Sequence, residues 1–321
     1  MYWLLVLLII STIAFTFRRY TRWLRNGGFS TDGLDLRGRT ILLTGATAGI
    51  GRASAKALAR AGANLWLPCL SLREGEALKA ELLNDGATTV HILHCNLNSI
   101  SSVRAAASEI LEQGPVIDAI ICCAGLSAYA GSKPQLSADG LELVMQTNHA
   151  GHFLLTRLLL PCLRRGSRIV NVTSTMHRLV SDCPRGVLSF QDMDYESSLP
   201  YCYSKLAQVL AIRELHFRLR ISCVAVNPGI TGTRFGDGFH PEFPVWIRAC
   251  VPYLFSALFN TPREGASTVL WAAVSEECAG VSGAYLADCQ PAAASITAYR
   301  TSLAQNLWQE TSRLLQLPLD I

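Results

Sequence analysis

Few positions of the 321-residue sequence are charged: Asp, Glu, Lys and Arg account for 16%, while hydrophobic residues account for 50%. The net charge is only +4, and the basic residues form no stripe interleaved with aromatic residues. Nucleic-acid-binding proteins usually have such a stripe, so the composition argues against a nucleic-acid partner. A chain this apolar is instead typical of a protein that contacts lipid.

The sequence also lacks paired cysteines. Its 11 Cys residues include no C-x-x-C pair, which argues against zinc sites and dithiol redox motifs. The His residues have no convincing set of partners either, so we expect no metal site. Several cysteines, among them Cys122, Cys123 and Cys223, lie in apolar runs and are expected to be small buried hydrophobic residues. An odd number of scattered cysteines favours a reducing compartment.

Residues 1–25 are predicted to be a membrane anchor with a basic flank. Seventeen residues, Met1 to Phe17, are almost entirely apolar, and a helix of that length rises ~26 Å, the short end of what spans a bilayer. Four arginines follow at once: Arg18, Arg19, Arg22 and Arg25. The positive-inside rule then places the rest of the chain in the cytosol. The alternative is a cleaved signal peptide, but no positive residue precedes the apolar run.

From Arg39 onward, short β-rich runs alternate with helical stretches, which is the pattern of a doubly wound parallel sheet. The expected strands are Thr40–Leu43, Asn64–Leu67, Val90–Leu93, Ile117–Cys122, Ser167–Val172, Ile221–Val226 and Gly283–Leu286. The expected helices are Ile50–Ala61, Glu74–Leu83, Ser101–Leu111, Leu141–Leu160, Pro200–Leu219, and one from a capping box at Thr261-Pro262-Arg263-Glu264 to Ala273. We therefore expect residues 36–321 to form one α/β domain of the Rossmann type, with helices on both faces of the sheet.

A glycine-rich turn follows the first expected strand and opens the first helix. Its sequence is Thr44-Gly45-Ala46-Thr47-Ala48-Gly49-Ile50-Gly51. Glycines at this spacing permit a tight turn and let a pyrophosphate approach backbone N–H groups at the positive end of the helix. The turn predicts a dinucleotide-binding site.

Tyr201 and Lys205 lie four residues apart on an expected helix, so they share one face. A phenol ordinarily has a pKa near ~10, which makes it a poor proton donor or acceptor at neutral pH. A neighbouring ammonium favours the phenolate and brings proton transfer into the working range. The pair therefore predicts a general acid/base.

Further motifs occur in a fixed order on the expected elements. They are Cys122-Cys123-Ala124-Gly125 after the fourth strand, Asn148 in a long helix, Ser174 at the end of the fifth strand, and Asn227-Pro228-Gly229 after the sixth. With the glycine turn and the Tyr201–Lys205 pair, they make the chain resemble the short-chain dehydrogenase/reductase family. Finer details are similar to its retinol dehydrogenase-like branch, which includes a polyprenol dehydrogenase. These are Asn148-His149-Ala150-Gly151-His152-Phe153, Ser204-Lys205-Leu206-Ala207 and Thr261-Pro262-Arg263-Glu264-Gly265-Ala266.

The resemblance implies a role for each catalytic residue. Tyr201 is expected to be the general acid/base, and Lys205 to lower the Tyr201 pKa and bind the nicotinamide ribose. Ser174 is expected to steady the substrate oxygen, and Asn148 to hold a water that links Lys205 to solvent. The implied cofactor contacts are Thr44, Gly45, Ala48, Gly49, Ile50, Gly51, Arg52, Asn96, Leu97, Cys123, Ala124, Gly125, Tyr201, Lys205, Pro228 and Gly229. His177 is expected to line the substrate mouth, and His149 and His152 to be structural.

The chain departs from the family pattern at the cofactor site. The family usually has Asn-Asn-Ala-Gly where this chain has Cys122-Cys123-Ala124-Gly125, and an Asp where it has Asn96. Related branch members have an Arg for a 2′-phosphate where this chain has Leu70. These changes are expected to weaken cofactor binding. No acidic residue lies near the end of the second strand, and Arg52, with Arg73 as second candidate, could meet a 2′-phosphate; NADP is therefore favoured, and NAD stays open.

The resemblance also implies a substrate class, because known members of the branch act mostly on lipidic alcohols and aldehydes and are often membrane-anchored. The aromatic and aliphatic segment Phe243–Phe259 corresponds to a substrate-side lid in the family, although such a stripe also suits a core. We expect an oxidoreductase that interconverts a lipophilic alcohol, such as a retinoid or polyprenoid, and its aldehyde or ketone. Alternatives are a catalytically weak cofactor-binding sensor or scaffold, and a steroid dehydrogenase.

The expected location is a membrane with the catalytic domain facing the cytosol. The endoplasmic reticulum is favoured, while lipid droplets and mitochondrial membranes stay open. A homodimer is a further expectation, because family dimers often form through the two long helices that here bear Asn148 and Tyr201.

Overall fold

The computed structural model describes residues 12–13, 15–17, 28–127, 135–190, 199–231 and 260–321, and these are organised around one eight-stranded sheet. The strands are β1 Thr40–Leu43, β2 Asn64–Cys69, β3 Thr89–His94, β4 Ile117–Cys122, β5 Leu163–Val172, β6 Ser222–Asn227, β7 Tyr285–Ala287 and β8 Gln290–Ala292. Their order is β3-β2-β1-β4-β5-β6-β7-β8. All neighbouring pairs from β3 to β7 are parallel, and β8 pairs antiparallel with β7. The expected Rossmann-type sheet is confirmed.

Helices cover both faces of the sheet, each over its own hydrophobic core. They are α1 Gly49–Arg60, α2 Leu72–Asp85, α3 Ile100–Gln113, α4 over 143–158, α5 Leu199–Arg218, α6 Pro262–Val274 and α7 Thr301–Leu314. The core beneath α1, α2 and α6 includes Leu58, Leu82 and Val269. The core beneath α3, α4, α5 and α7 includes Leu154 and Trp308.

Local sequence explains where several helices begin. Ser71 and Ser99 cap α2 and α3 by accepting hydrogen bonds from backbone N–H groups three residues later. The capping box expected at the start of α6 is present, because Thr261 and Glu264 satisfy each other's backbone N–H groups. Side-chain oxygens at these positions replace the missing intrahelical partners of the first turn.

The order of the strands decides where a ligand can bind. The chain runs outward from β1 through β2 to β3, and β4 then returns to the other side of β1. The carboxyl ends of β1 and β4 are therefore adjacent at the point where the strand order reverses. Ligands of open parallel sheets bind in the crevice at such a point.

Helix α4 is not the continuous α-helix expected over Leu141–Leu160. It begins at Leu143–Met145, continues as a π-helical turn over Gln146–Ala150, and becomes α-helical again over Gly151–Leu158. A Cβ on Gly151 would collide with the Leu97 carbonyl oxygen, so glycine permits this helix to approach the loop after β3. π-helical turns are frequent at functional sites, and this one contains Asn148.

Helix α7 was not expected from the sequence, and it covers helices α4 and α5. Phe153 of α4 packs edge-on against Trp308 of α7, with ring centres 4.8 Å apart. His149 Nε2 lies 3.1 Å from Thr311 Oγ1 of α7. The homodimer expected through α4 and α5 stays a prediction.

Two expectations from the sequence fall on residues outside the described part of the chain. The predicted anchor, 1–25, lies outside it except for 12–13 and 15–17, and the predicted lid Phe243–Phe259 lies outside it entirely. Within the described residues, no helix combines the length and apolarity needed to cross a bilayer.

Candidate active site

The glycine turn connects β1 to α1. Gly45 and Gly49 have φ values of 72° and 53°, a region that glycine adopts without strain. A Cβ on Gly45 would lie 2.7 Å from the Cα of Ala124, and one on Gly51 would collide with the Gly45 carbonyl oxygen. Ala48 is the N-cap of α1 and supplies no side-chain hydrogen bond, so the first backbone N–H groups have no side-chain cap. This cradle fits the pyrophosphate of a dinucleotide.

Thr44, an expected cofactor contact, is buried and holds the turn in place. Its Oγ1 accepts hydrogen bonds from the N–H groups of Cys123, at 3.0 Å, and Ala124, at 3.1 Å. A hydroxyl has two lone pairs and one proton, so the proton is directed to His152 Nε2 at 2.8 Å. His152 is therefore neutral, and its Nδ1–H donates to the Asn148 carbonyl at 3.0 Å. Consistently, burial lowers the pKa of His152 to about 4.

Tyr201 lies in the first turn of α5, beside the end of β5. Its phenol hydrogen-bonds with Ser174, and this contact lowers the phenol's pKa. Burial has the larger effect and raises the Tyr201 pKa above its ordinary value. The net direction is opposite to the one expected from the sequence, so the phenol keeps its proton at neutral pH. The role of Tyr201 as general acid/base stays a prediction.

Lys205 is buried one helical turn after Tyr201. Its Nζ donates to the Val172 carbonyl and to Oε1 of Gln208, each at 3.0 Å, and lies 5.4 Å from the centre of the Tyr201 ring. Burial lowers the pKa of Lys205 to about 8. The backbone of Lys205 is fixed as well, because Thr173 Oγ1 donates to its carbonyl at 2.8 Å.

Asn148 contacts protein groups from three directions. Its Oδ1 accepts from the Leu126 N–H at 2.7 Å, and its Nδ2 donates to the Leu126 carbonyl and to Ser204 Oγ, each at 2.9 Å. Its own carbonyl accepts from Gln208 Nε2 at 2.8 Å and from His152 Nδ1. Asn148 thereby holds the segment after β4 against α5. The water predicted on this residue stays a prediction.

Asn148 and Lys205, two of the expected catalytic residues, meet beside Gly125. A Cβ on Gly125 would lie 3.3 Å from Asn148 Oδ1 and 3.8 Å from Lys205 Nζ. Gln208 joins the same cluster but was not expected. Its spacing of three from Lys205 and seven from Tyr201 places all three on one helical face, and this signal was available in the sequence.

His177 does not line the substrate mouth, contrary to the expectation. It is fully buried, and its Nε2 accepts from the Ser295 N–H at 2.9 Å. Its Nδ1–H therefore donates to the Ser174 carbonyl, at 2.6 Å. His177 therefore holds the backbone of Ser174 in place through a hydrogen bond to its carbonyl.

Four more of the expected cofactor residues lie on the loops that follow β3 and β6, at the same edge of the sheet. Asn96 Oδ1 accepts from the Asn98 N–H at 3.0 Å, so this side chain shapes its own loop. Leu97 is buried, with its carbonyl facing Gly151. Pro228 and Gly229 follow β6, and Gly229 has a φ of 77°.

Arg52 is bound to an acidic residue. Its guanidinium contacts both carboxylate oxygens of Glu81, at 2.7 and 2.8 Å, and Lys56 contacts the same carboxylate at 2.7 Å. These cations lower the pKa of Glu81 to about 2. Leu70, at the expected place of a phosphate-binding Arg, is 68% exposed. Contact of Arg52 with a 2′-phosphate would require it to exchange Glu81 for the phosphate.

The two cysteines that replace asparagines in the family pattern have different surroundings. Cys122 is fully buried, and its Sγ lies 3.6 Å from Thr156 Oγ1. Cys123 is partly exposed beside the glycine turn. Within the ranges the structure describes, no group of three or more His, Cys, Asp or Glu side chains is arranged to hold a metal ion.

Known proteins are similar to this chain over most of its length. A family model described as short chain dehydrogenase matches residues 39–184. Human retinol dehydrogenase 11 is 34% identical over 98% of this chain and 98% of its own length. Human retinol dehydrogenase 14 is 36% identical over 89% of this chain and 88% of its own length.

A solved structure shares the fold. A crystal structure of an uncharacterized protein from Mycobacterium paratuberculosis is 27% identical, with a TM-score of 0.72, over 92% of this chain and all of that one. A glycine cradle, a Tyr–Lys pair on one helix face and full-length similarity to retinol dehydrogenases lead to one conclusion. The chain belongs to the short-chain dehydrogenase/reductase family, in its retinol dehydrogenase-like branch, and is an NAD(P)-dependent oxidoreductase acting on alcohols.

Proposed function

We propose that the protein interconverts a lipophilic alcohol and its aldehyde or ketone with NADP(H), and that Tyr201 is the general acid/base. The observation that carries this proposal is the position of the Lys205 ammonium, 5.4 Å from the centre of the Tyr201 ring and beside Gly125, next to the glycine cradle. The retinol dehydrogenases that the chain resembles support a retinoid-like substrate.

The surroundings of the site also support an apolar substrate. Leu126 follows Gly125 and is 43% exposed, and Ile230 follows Gly229 and is 61% exposed. These two side chains lie on loops that border the site. Exposed apolar side chains of this size are available to contact a lipid tail.

In the direction of reduction, the Tyr201 hydroxyl donates its proton to the carbonyl oxygen of the substrate. Ser174 donates a hydrogen bond to the same oxygen, so the developing negative charge is stabilised from two sides. The raised pKa of Tyr201 favours this direction because the phenol stays protonated. Lys205 keeps positive charge next to the phenol and stabilises the phenolate that remains.

The nicotinamide cofactor, when bound, supplies the hydride in reduction and accepts it in oxidation. Backbone N–H groups at Gly49, Ile50 and Gly51 would hold its pyrophosphate, and Lys205 its ribose. The loops at Asn96, Cys123 and Gly229 would complete the binding cleft.

The test is turnover by the full-length protein in detergent micelles with NADPH and retinal or a polyprenal. Tyr201→Phe is expected to lower kcat by at least ~100-fold, since general acid catalysis contributes about 100- to 10,000-fold. Fluorescence titration should show an unchanged Kd for NADPH. Tyr203→Phe is the matched control: Tyr203 lies on the same helix but packs against Phe190, with ring centres 5.8 Å apart.

Other results would contradict parts of the proposal. Full activity in Tyr201→Phe would show that another group transfers the proton. Tight NADPH binding without turnover over retinoids, polyprenoids and steroids would favour the cofactor-binding sensor, and turnover of steroids alone would favour the steroid dehydrogenase.

The predicted anchor over 1–25 supports a membrane location for this activity. Alkaline extraction of membranes from cells expressing the full chain should leave the protein in the pellet. Protease added to intact microsomes should digest the catalytic domain if it faces the cytosol. Release by alkali would contradict the anchor, and protection from protease would contradict the orientation.

A further inference from the structure

Gln208 lies fully buried on α5, between the catalytic lysine and the π-helical turn of α4. Its Oε1 is 3.0 Å from Lys205 Nζ, and its Nε2 is 2.8 Å from the Asn148 carbonyl oxygen. We propose that Gln208 is a positioning residue that fixes the Lys205 ammonium by bridging it to the backbone of Asn148. The inference rests on the proposed function in so far as Lys205 serves catalysis.

Chemistry decides the orientation of the Gln208 amide. An ammonium has three donors and no acceptor, and a backbone carbonyl only accepts. The amide oxygen must therefore face Lys205, and the amide NH₂ must face Asn148. A neutral side chain that offers one acceptor and one donor at this reach is what the two partners require.

The bridge ends on the backbone carbonyl of Asn148, the residue on which a water was expected. A carbonyl oxygen has two lone pairs, and this one accepts from Gln208 Nε2 and from His152 Nδ1. A water on this carbonyl would have to displace one of the two side chains. The connection between Asn148 and Lys205 is therefore made by a side chain, which, unlike a water molecule, cannot exchange with solvent.

Within the part of the chain that the structure describes, two of the three N–H groups of Lys205 have acceptors. One is directed to Val172 and one to Gln208, and both acceptors are neutral. This leaves one N–H group for a ligand in the cleft, on whose floor Gly125 lies. The two hydrogen bonds of Nζ therefore fix the direction of its third N–H group.

The charge on Lys205 depends on what faces it from each packed element. Tyr201 faces it from α5, Cys123 from the end of β4, and His152 from α4. His152 is neutral, and burial raises the pKa of Cys123 to about 12, so neither adds charge at neutral pH. Burial lowers the pKa of Lys205 to about 8, and a hydrogen bond from Nζ to Gln208 favours the charged form.

Two substitutions of similar size separate this role from simple packing. Gln208→Leu removes the bridge, so the Lys205 pKa should fall and the alkaline limb of kcat/KM should move to lower pH. Gln208→Glu places a carboxylate beside Nζ, so the pKa should rise and that limb should move to higher pH. Shifts in opposite directions are not expected from a loss of packing.

The Lys205 pKa can be measured without any reaction. The chain has four lysines, Lys56, Lys79, Lys133 and Lys205, so selective ¹³Cε labelling of the full-length protein gives few NMR signals. Lys205→Arg identifies the signal by its absence. At pH 8, Gln208→Leu should also lower kcat/KM by roughly 10- to 100-fold, the range for a hydrogen bond to a charged group.

Leu210→Ala is the control for stability. Leu210 is fully buried on the same helix, and its truncation costs about 2–5 kcal/mol without touching the bridge. This variant should keep the wild-type pH profile and the Lys205 pKa.

An unchanged Lys205 pKa in both Gln208 variants, or shifts in the same direction, would overturn the proposal. So would full kcat/KM in Gln208→Leu. If Gln208→Leu does not fold, an upward shift in Gln208→Glu alone supports the bridge, and no shift overturns it. Absence of turnover in the wild type would refute the proposed function, while the NMR titration would still decide the bridge.

Discussion

The side chain of His177 connects the Ser174 carbonyl to the backbone N–H of Ser295, with hydrogen bonds of 2.6 and 2.9 Å. Ser174 follows β5 at the candidate active site, and Ser295 follows β8 at the edge of the sheet. A buried imidazole thus ties the residue expected to hold the substrate oxygen to a distant segment of the chain.

His177→Phe should therefore reduce catalysis. Phenylalanine keeps the ring next to Tyr285 but leaves two buried backbone groups unpaired, at about 1–3 kcal/mol each. We expect a lower Tm, a roughly 10-fold lower kcat and an unchanged Kd for NADPH. Tyr285→Phe, which leaves both His177 hydrogen bonds intact, is the control. Wild-type kcat in His177→Phe would show that Ser174 does not need this brace.

Two buried neutral histidines should make the protein sensitive to acid. Burial lowers the pKa of His149 to about 3 and that of His152 to about 4, from an ordinary value of 6.5. Below pH 6.5 the unfolded chain binds protons that the folded chain does not, so stability is complete above pH 6.5 and falls as the pH drops toward 4. Each histidine contributes about 1.4 kcal/mol per pH unit in that window.

Urea unfolding at pH 7, 6 and 5 measures this loss. The variant His149→Gln should have a smaller slope of unfolding free energy against pH, by about one proton. An equal slope in the variant and the wild type would mean that His149 takes up its proton in the folded state.

The order of the elements could be predicted from the sequence because most of its signals are local. Hydrophobic runs, the glycine turn and the capping box at Thr261 each depend on neighbouring residues. Strand β8 could not be predicted in this way, because it is three residues long and contains Pro291. Its turn, Asp288-Cys289, has positive φ at both residues without the usual glycine.

The missed helix α7 is a different case. Ala304, Leu307, Trp308 and Thr311 are buried at helical spacing, so an amphipathic pattern was present in the sequence. At the active site, the sequence predicted which residue types meet, but not their environment. The raised pKa of Tyr201 and the bridge through Gln208 both depend on what packs against α5, and spacing along one helix cannot show that.

Arg52 should influence the choice between NADPH and NADH. Exposed ion pairs such as Arg52–Glu81 contribute little to stability, so a 2′-phosphate can compete for the guanidinium. We expect Arg52→Leu to raise the KM for NADPH roughly 10-fold and to leave the KM for NADH unchanged. Glu81→Gln should lower the KM for NADPH.

Lys56→Met provides the comparison, because Lys56 binds the same carboxylate one turn further along α1. Lys56→Met should change the preference for NADPH over NADH less than Arg52→Leu does. An unaltered ratio of the two KM values in Arg52→Leu would exclude Arg52 as the residue that recognises the 2′-phosphate.

Trp308 packs α7 against α4 and α5. The guanidinium groups of Arg157 and Arg218 lie 4.7 and 4.6 Å from its ring, and its Nε1 donates to the Leu319 carbonyl at 3.0 Å. Trp308→Ala should cost about 3–5 kcal/mol and loosen α7. Because loss of Trp308 would uncover the Phe153 ring of α4, we also expect self-association, which light scattering after size-exclusion chromatography would detect.

The exposed residue Gln305 on the same helix supplies the control, and Gln305→Ala should retain the Tm and the mass of the wild type. A Trp308→Ala protein of lower Tm but unchanged mass would mean that α7 stabilises the fold without shielding an association surface. A protein that gains mass would mean that this helix occupies the place where two chains otherwise meet. The expected homodimer would then require α7 to move first.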